Sequence, residues 1–79
     1  MTSEPNDEVR ARIAQLEALA EKAYDEMYET RSPHGFYSDM KDCFAEAIGA
    51  ARQAGLEAEV RRLTARLDHC RAVYRSQFT

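Results

Sequence analysis

The sequence predicts an all-α protein, an antiparallel up-down-up bundle of three helices. Helix-favouring residues dominate a composition that is 44% hydrophobic and 32% charged, with only two prolines and three glycines to interrupt it. Apolar residues recur at spacings of three and four along three successive stretches, as on the buried faces of helices. Short glycine-containing segments separate the stretches, and short connections make neighbouring helices antiparallel. At 79 residues the chain forms one domain, residues 1–79.

The first helix is expected over about residues 7–30, after a frayed N-terminus of residues 1–6. Pro5 suits a first turn, and Asp7 and Glu8 favour the positive end of the helix dipole. Ser3 or Asn6 is the expected cap. The inward positions alternate spacings of four and three, as in a coiled coil, and are Val9, Ile13, Leu16, Ala20, Ala23 and Met27. Residues that widen this stripe are Leu19, Tyr24 and Tyr28.

The second helix is expected over about residues 38–54, with Ser38 as its cap. Pro33 and Gly35 are read as a break, which leaves a loop before it that carries His34, Phe36 and Tyr37. Gly55 is expected to end the helix, and Leu56 to fold back as the hydrophobic partner of a left-handed cap. The inward positions are Met40, Cys43, Phe44, Ala47, Ile48 and Ala51.

The third helix is expected over about residues 56–77, in a tight antiparallel hairpin with the second. Its inward positions again alternate spacings of four and three, and are Leu56, Val60, Leu63, Leu67, Cys70 and Tyr74. The third helix is rich in arginine, whereas the first two are acidic. Arginines of the third helix are therefore the expected partners of like-charged acids such as Glu21 and Asp25 on the first.

Composition limits the classes of function. A net charge of −3 argues against an obligate partner of nucleic acid or of an anionic membrane, because both need a basic surface. No signal peptide and no apolar run of membrane-spanning length is recognisable, so a cytoplasmic location is expected. Arginine greatly outnumbers lysine, which suggests a bacterial source with a GC-rich genome.

The sequence carries no recognisable site for catalysis, a metal or a cofactor. Cys43 and Cys70 lie at inward positions, where free cysteine usually serves as a small hydrophobic residue. His69 is next to Cys70, but neighbours on a helix point about 100° apart and cannot easily bind one ion. Nucleophile motifs and glycine-rich phosphate loops are not found. We therefore expect a protein that is not an enzyme.

All seven aromatic residues are expected at one end of the bundle, called here the aromatic end, which comprises Tyr24, Tyr28, Phe36, Tyr37, Phe44, Tyr74 and Phe78. Tyr24, Phe44 and Tyr74 extend inward stripes and are expected to plug the core. A mixture of Tyr, Arg and His is typical of binding hot spots, so a protein-binding patch is expected at Tyr28, Arg31, His34, Phe36, Tyr37, Arg71 and Arg75. The alternative is a small-molecule or cofactor pocket among Tyr24, Tyr28, Tyr37 and Tyr74.

A homodimer is expected through the first helix. If that helix is about seven residues longer than the second, its start extends roughly 10 Å past the Gly55 turn. Val9 and Ile13 would then be exposed to solvent unless a second chain covered them. Leu16 continues the same stripe and is expected in the same dimer contact. The sequence thus favours a small interaction or adaptor protein that self-associates and binds a protein partner.

Overall fold

The computed structural model describes the backbone of residues 5–78 and the side chains of residues 7–77. It contains three α-helices, α1 (Pro5–Met27), α2 (Pro33–Gln53) and α3 (Glu57–Phe78). α2 packs against both of its neighbours, which confirms the all-α three-helix bundle predicted from the sequence. Within the described residues, no helix is long and apolar enough to cross a membrane.

The boundaries of α1 differ from the prediction at both ends. Pro5 and Asn6 are already helical, so α1 begins before residue 7 and Asn6 is not its cap; the rest of the segment expected to fray, including Ser3, lies outside the described residues. The helix ends at Met27 and not at residue 30. There the N–H groups of Tyr28 and Glu29 donate hydrogen bonds to the carbonyl groups three residues earlier. The helix therefore ends in a tighter, 3₁₀-type turn.

α2 begins five residues earlier than predicted, at Pro33 and not at Ser38. Proline is favoured in the first helical position, because its fixed φ suits the helix and its missing N–H would have no intrahelical partner there. Pro33 therefore starts α2, and the expected long loop before Ser38 is not present. Phe36 and Tyr37 lie in the first turns of the helix.

The turn from α2 to α3 agrees with the prediction. Gly55 has φ 73°, in the left-handed region that glycine adopts without strain. The N–H of Leu56 donates to the carbonyl of Ala51, and that of Gly55 donates to Arg52. These two bonds are those of a Schellman motif, and Leu56 packs against the core as expected for it.

The inward stripes of all three helices meet in one core. Ala20 and Ala23 of α1, like Ala47 and Ala51 of α2, are buried, and side chains this small let two helices approach closely. α1 and α2 are in close backbone contact over much of their length, whereas α3 approaches α2 less and α1 least. The bundle is consequently flattened, 48 × 20 × 12 Å. Its largest fully buried side chains are Phe44, Met27, Met40, Leu63 and Cys70.

Candidate functional site

The aromatic end is formed where the C-terminus of α1, the start of α2 and the C-terminus of α3 meet. Phe44 is fully buried and Tyr74 is 5% exposed, as expected of plug residues, whereas Tyr24 is only half-buried. The side chain of Phe78 lies outside the described residues. The remaining aromatic residues form two small groups, one around Tyr74 and one around Tyr24.

The group around Tyr74 joins α2 to α3. The rings of Tyr37 and Tyr74 stack with centroids 3.7 Å apart and planes 4° apart. His34 meets Tyr74 edge to face, and its Nδ1 shares a hydrogen bond with the Tyr74 hydroxyl. Lys41 Nζ lies 4.9 Å from the centre of the Tyr37 ring. Tyr37 was expected in an exposed loop, but as a helical residue it is half-buried and supports the core, as Phe36 also does.

The group around Tyr24 joins α1 to α3. The hydroxyls of Tyr24 and Tyr28 are hydrogen-bonded at 3.0 Å, and their rings meet edge to face. The guanidinium of Arg66 lies 5.2 Å from the centre of the Tyr24 ring. Burial, followed by the hydrogen bond with Tyr28, raises the pKa of Tyr24 to about 12. Tyr28 keeps 45% of its surface exposed.

The polar residues predicted for the patch lie at this end and are exposed. His34 is exposed although it contacts Tyr74. Arg31 lies in the turn before α2, and Arg71 and Arg75 lie on the outer surface of α3. The structure therefore brings His34 and Tyr37 together over Tyr74, and places Tyr28 beside Tyr24, in a separate group.

The overhang on which the predicted dimer was based is not present. α1 has 23 residues and α2 has 21, so their ends are nearly level. Ile13 is 2% exposed, and Val9 is half-buried against the same core. Val9 and Ile13 are thus covered within one chain, while Leu16 is half-buried.

A residue that the sequence prediction missed is Leu19, which is 56% exposed in the middle of α1. It was assigned to the edge of the inward stripe, but neither α2 nor α3 covers it. Leu19 lines an open groove of about 550 Å³ along the surface of α1. The groove's other lining residues are Arg12, Gln15, Leu16, Ala18 and Lys22.

Ion pairs connect α3 to α1, as the charge pattern predicted for Glu21. Arg66 donates to both carboxylate oxygens of Glu21, at 2.7 Å each. Arg62 bridges Glu17 and Glu59 through hydrogen bonds of 2.6 to 3.0 Å. The hydrogen bond from Arg66 lowers the pKa of Glu21, and that from Arg62 lowers the pKa of Glu59. These two arginines are therefore engaged within the chain.

The two thiols lie in or beside the core. Cys70 is buried and Cys43 is half-buried, and both are free. Burial is the main cause that raises the pKa of each thiol, and nearby acids add to it at Cys43. Raised pKa values reduce the reactive thiolate form. Among the described residues, no group of three His, Cys, Asp or Glu side chains could hold a metal ion.

The chain was compared with known families, curated proteins and solved structures. No family model, curated sequence or solved structure matches it. The functional argument therefore depends on the geometry of the chain itself. Two large apolar side chains are exposed among the described residues, Leu19 on the middle of α1 and Tyr28 at the aromatic end.

Proposed function

We propose that this protein is a small non-enzymatic interaction protein that self-associates and binds a protein partner at its aromatic end. The observation that carries the partner site is Tyr28, which is 45% exposed although a hydrogen bond and an edge-to-face contact with Tyr24 hold its side chain. Its proposed location, on the sequence arguments above, is the bacterial cytoplasm.

A fixed, exposed tyrosine is well suited to protein recognition. Tyrosine offers a large contact area with few rotatable bonds, and it is enriched among the residues that dominate binding energy. Because Tyr24 already orients the ring of Tyr28, a partner would lose little free energy in ordering it. Exposed Arg31 and His34 at the same end supply the polar rim that surrounds such residues.

The partly buried aromatic residues have a supporting role in this proposal. Phe36 and Tyr37 pack against the core, and Tyr37 stacks directly on Tyr74. Truncating either of them would loosen the start of α2 as well as any contact surface. Their removal cannot separate binding from folding, whereas removal of the Tyr28 ring can.

A small-molecule pocket among the tyrosines is the weaker proposal. Such a site needs a concave space between the rings, but Tyr37 and Tyr74 are in contact at 3.7 Å and Tyr74 is buried. The contact between Tyr24 and Tyr28 likewise brings their hydroxyls together at 3.0 Å. No observation favours a ligand between them.

The experiment is affinity capture from bacterial lysate with three baits: the parent, Tyr28→Ala, and the control Arg61→Ala. Arg61 is exposed near the start of α3, at the opposite end of the bundle. We expect a protein retained by the parent and the control but lost with Tyr28→Ala. Arg61→Ala should leave the free energy of unfolding within about 0.5 kcal/mol of the parent's. Tyr28→Ala should lower it by about 1 kcal/mol, because the edge-to-face contact with Tyr24 is lost, and should still fold. Identical capture by all three baits would contradict the proposed site.

A further inference from the structure

The exposed Leu19 lies on the side of α1 that is turned away from α3. Glu17 and Glu21 face α3, since they pair with Arg62 and Arg66. Leu19 is two residues from each of them, which is about 200° around the helix. Arg12 and Glu26 lie seven residues before and after Leu19, so these three residues share one stripe, called here the outer face of α1.

We propose that two copies of the chain associate through this outer face, antiparallel and about a twofold axis that passes beside Leu19. The proposal rests on the self-association put forward above and gives it a surface and a register. Leu19 of one copy would pack against Leu19 of the other. Each copy would contribute the same surface, as in the commonest class of soluble homodimer.

The charges of the outer face fit this register. In antiparallel pairing about Leu19, Arg12 of one copy lies opposite Glu26 of the other, because both are seven residues from the axis. The twofold axis produces that ion pair twice, about 10 Å on either side of the leucines. Lys22 lies opposite Leu16 of the second copy, where its aliphatic stem can cover the half-buried leucine.

Other registers of the same face are less favourable. Centring the pair on Leu16 sets Arg12 opposite Ala20 of the second copy, which offers no opposite charge. Parallel pairing in register sets each charge beside its own duplicate, and like charges in direct opposition are destabilising. Among these arrangements, the antiparallel one about Leu19 sets Arg12 opposite Glu26, in addition to the contacts that they make within their own chain with Glu46 and Lys22.

The size of the protein also favours a second copy as the occupant. The long faces of the molecule measure 48 by 20 Å, which is enough for the ~800 Å² that each partner of a specific dimer buries. A domain of this length has a small core and commonly gains stability from oligomerisation. Covering Leu19 adds apolar burial in a chain where few large side chains are fully buried.

Disulfide cross-linking tests the axis. In a Cys43→Ser background, Leu19→Cys places two thiols next to each other across the axis, and mild oxidation should give a covalent dimer in most of the protein at tens of micromolar. Ala18→Cys in the same background is the matched control, because its side chain points about 100° away. Cys70 is fully buried and should not interfere. Equal cross-linking by both variants, or none by Leu19→Cys, would overturn the proposed axis.

Charge reversal tests the register. Arg12→Glu should raise the dimer dissociation constant at least tenfold in sedimentation analysis, and Arg12→Glu with Glu26→Arg should restore it to within about threefold of the parent. Melting curves check that each variant folds, since Arg12 also lies 3.7 Å from Glu46 within the chain. Failure of the second reversal to rescue the first would overturn the register.

The outcomes distinguish this inference from the proposed function. If the parent self-associates but the Leu19→Cys variant does not cross-link, this interface is wrong and self-association remains supported. If the parent stays a 9.0 kDa monomer at tens of micromolar, both the interface and self-association are wrong. Neither result bears on the partner site proposed at the aromatic end, which the capture experiment with Tyr28→Ala tests separately.

Discussion

The ion pair between Arg66 and Glu21 should stabilise the packing of α3 against α1. These two helices make the fewest close backbone contacts in the bundle, so long side chains connect them. Arg66 donates through Nε and Nη2 to the two carboxylate oxygens of Glu21, and its guanidinium also lies over the ring of Tyr24. Substituting either partner should therefore lower the free energy of unfolding.

The coupling between the two side chains should be about 1 kcal/mol. Both are roughly one third exposed, at 35% and 34%, so solvent screens their attraction. Fully exposed pairs contribute about 0.2 to 1 kcal/mol, and a bidentate charge-assisted geometry belongs at the upper end of that range. The contact with Tyr24 adds about 0.5 to 1 kcal/mol, but this loss appears with Arg66→Met and not with Glu21→Gln.

A double-mutant cycle measures the coupling. Urea unfolding of the parent, Glu21→Gln, Arg66→Met and the double variant gives the four free energies required. The reference value is the about 0.3 kcal/mol expected of an exposed i,i+4 ion pair within one helix. If the coupling of Glu21 and Arg66 does not exceed this reference value, the assigned role of the pair is wrong.

The same pair predicts how stability changes in acid. The hydrogen bond from Arg66 lowers the pKa of Glu21 below the ordinary value of 4.5. A carboxyl group whose pKa is depressed by folding stabilises the protein above its unfolded pKa, and that stabilisation is lost as pH falls through the folded pKa. The parent should lose stability below about pH 4.5, and Glu21→Gln should lose less over the same interval.

Three further predictions concern the core, the turn and the thiols. Phe44→Ala should cost roughly 3 to 5 kcal/mol, a large part of the stability of so small a domain, and calorimetry should show a much lower melting temperature. Gly55→Ala should destabilise by about 1 kcal/mol because of its positive φ, whereas helical Gly49→Ala should stabilise by up to about 1 kcal/mol, since a Cβ there meets nothing within 4 Å. In folded protein, Cys43 should react slowly with thiol reagents and Cys70 more slowly still, as followed by mass spectrometry.

The sequence predicted the buried faces of the helices better than their ends. Apolar spacing depends only on helical geometry, so Ile13, Phe44 and Leu63 were assigned inward positions and are buried. The start of α2 was wrong because Pro33 can either break a helix or begin one. Its local sequence favours a break, while the packing of Phe36 and Tyr37 on the core favours a start.

That boundary error affected the functional predictions. Moving the start of α2 from residue 38 to Pro33 lengthens the helix, and the supposed overhang of Val9 and Ile13 is no longer present. It also places Tyr37 on Tyr74, where it contributes to folding. A five-residue change at one helix end thus moves both candidate surfaces, to Leu19 for self-association and to Tyr28 for the partner.

The exposure of Leu19 could not be predicted because it depends on where α3 lies. A residue at the edge of an inward stripe is buried only if a second neighbour packs on that side. Periodicity within α1 gives the angle of each side chain but not the positions of the other two helices. Pairing of Glu17 and Glu21 with Arg62 and Arg66 places α3 on the opposite side of α1, and Leu19 is left uncovered. The charge pattern that predicts the Glu21 pair therefore also identifies, once its geometry is known, the face of α1 that a second copy can occupy.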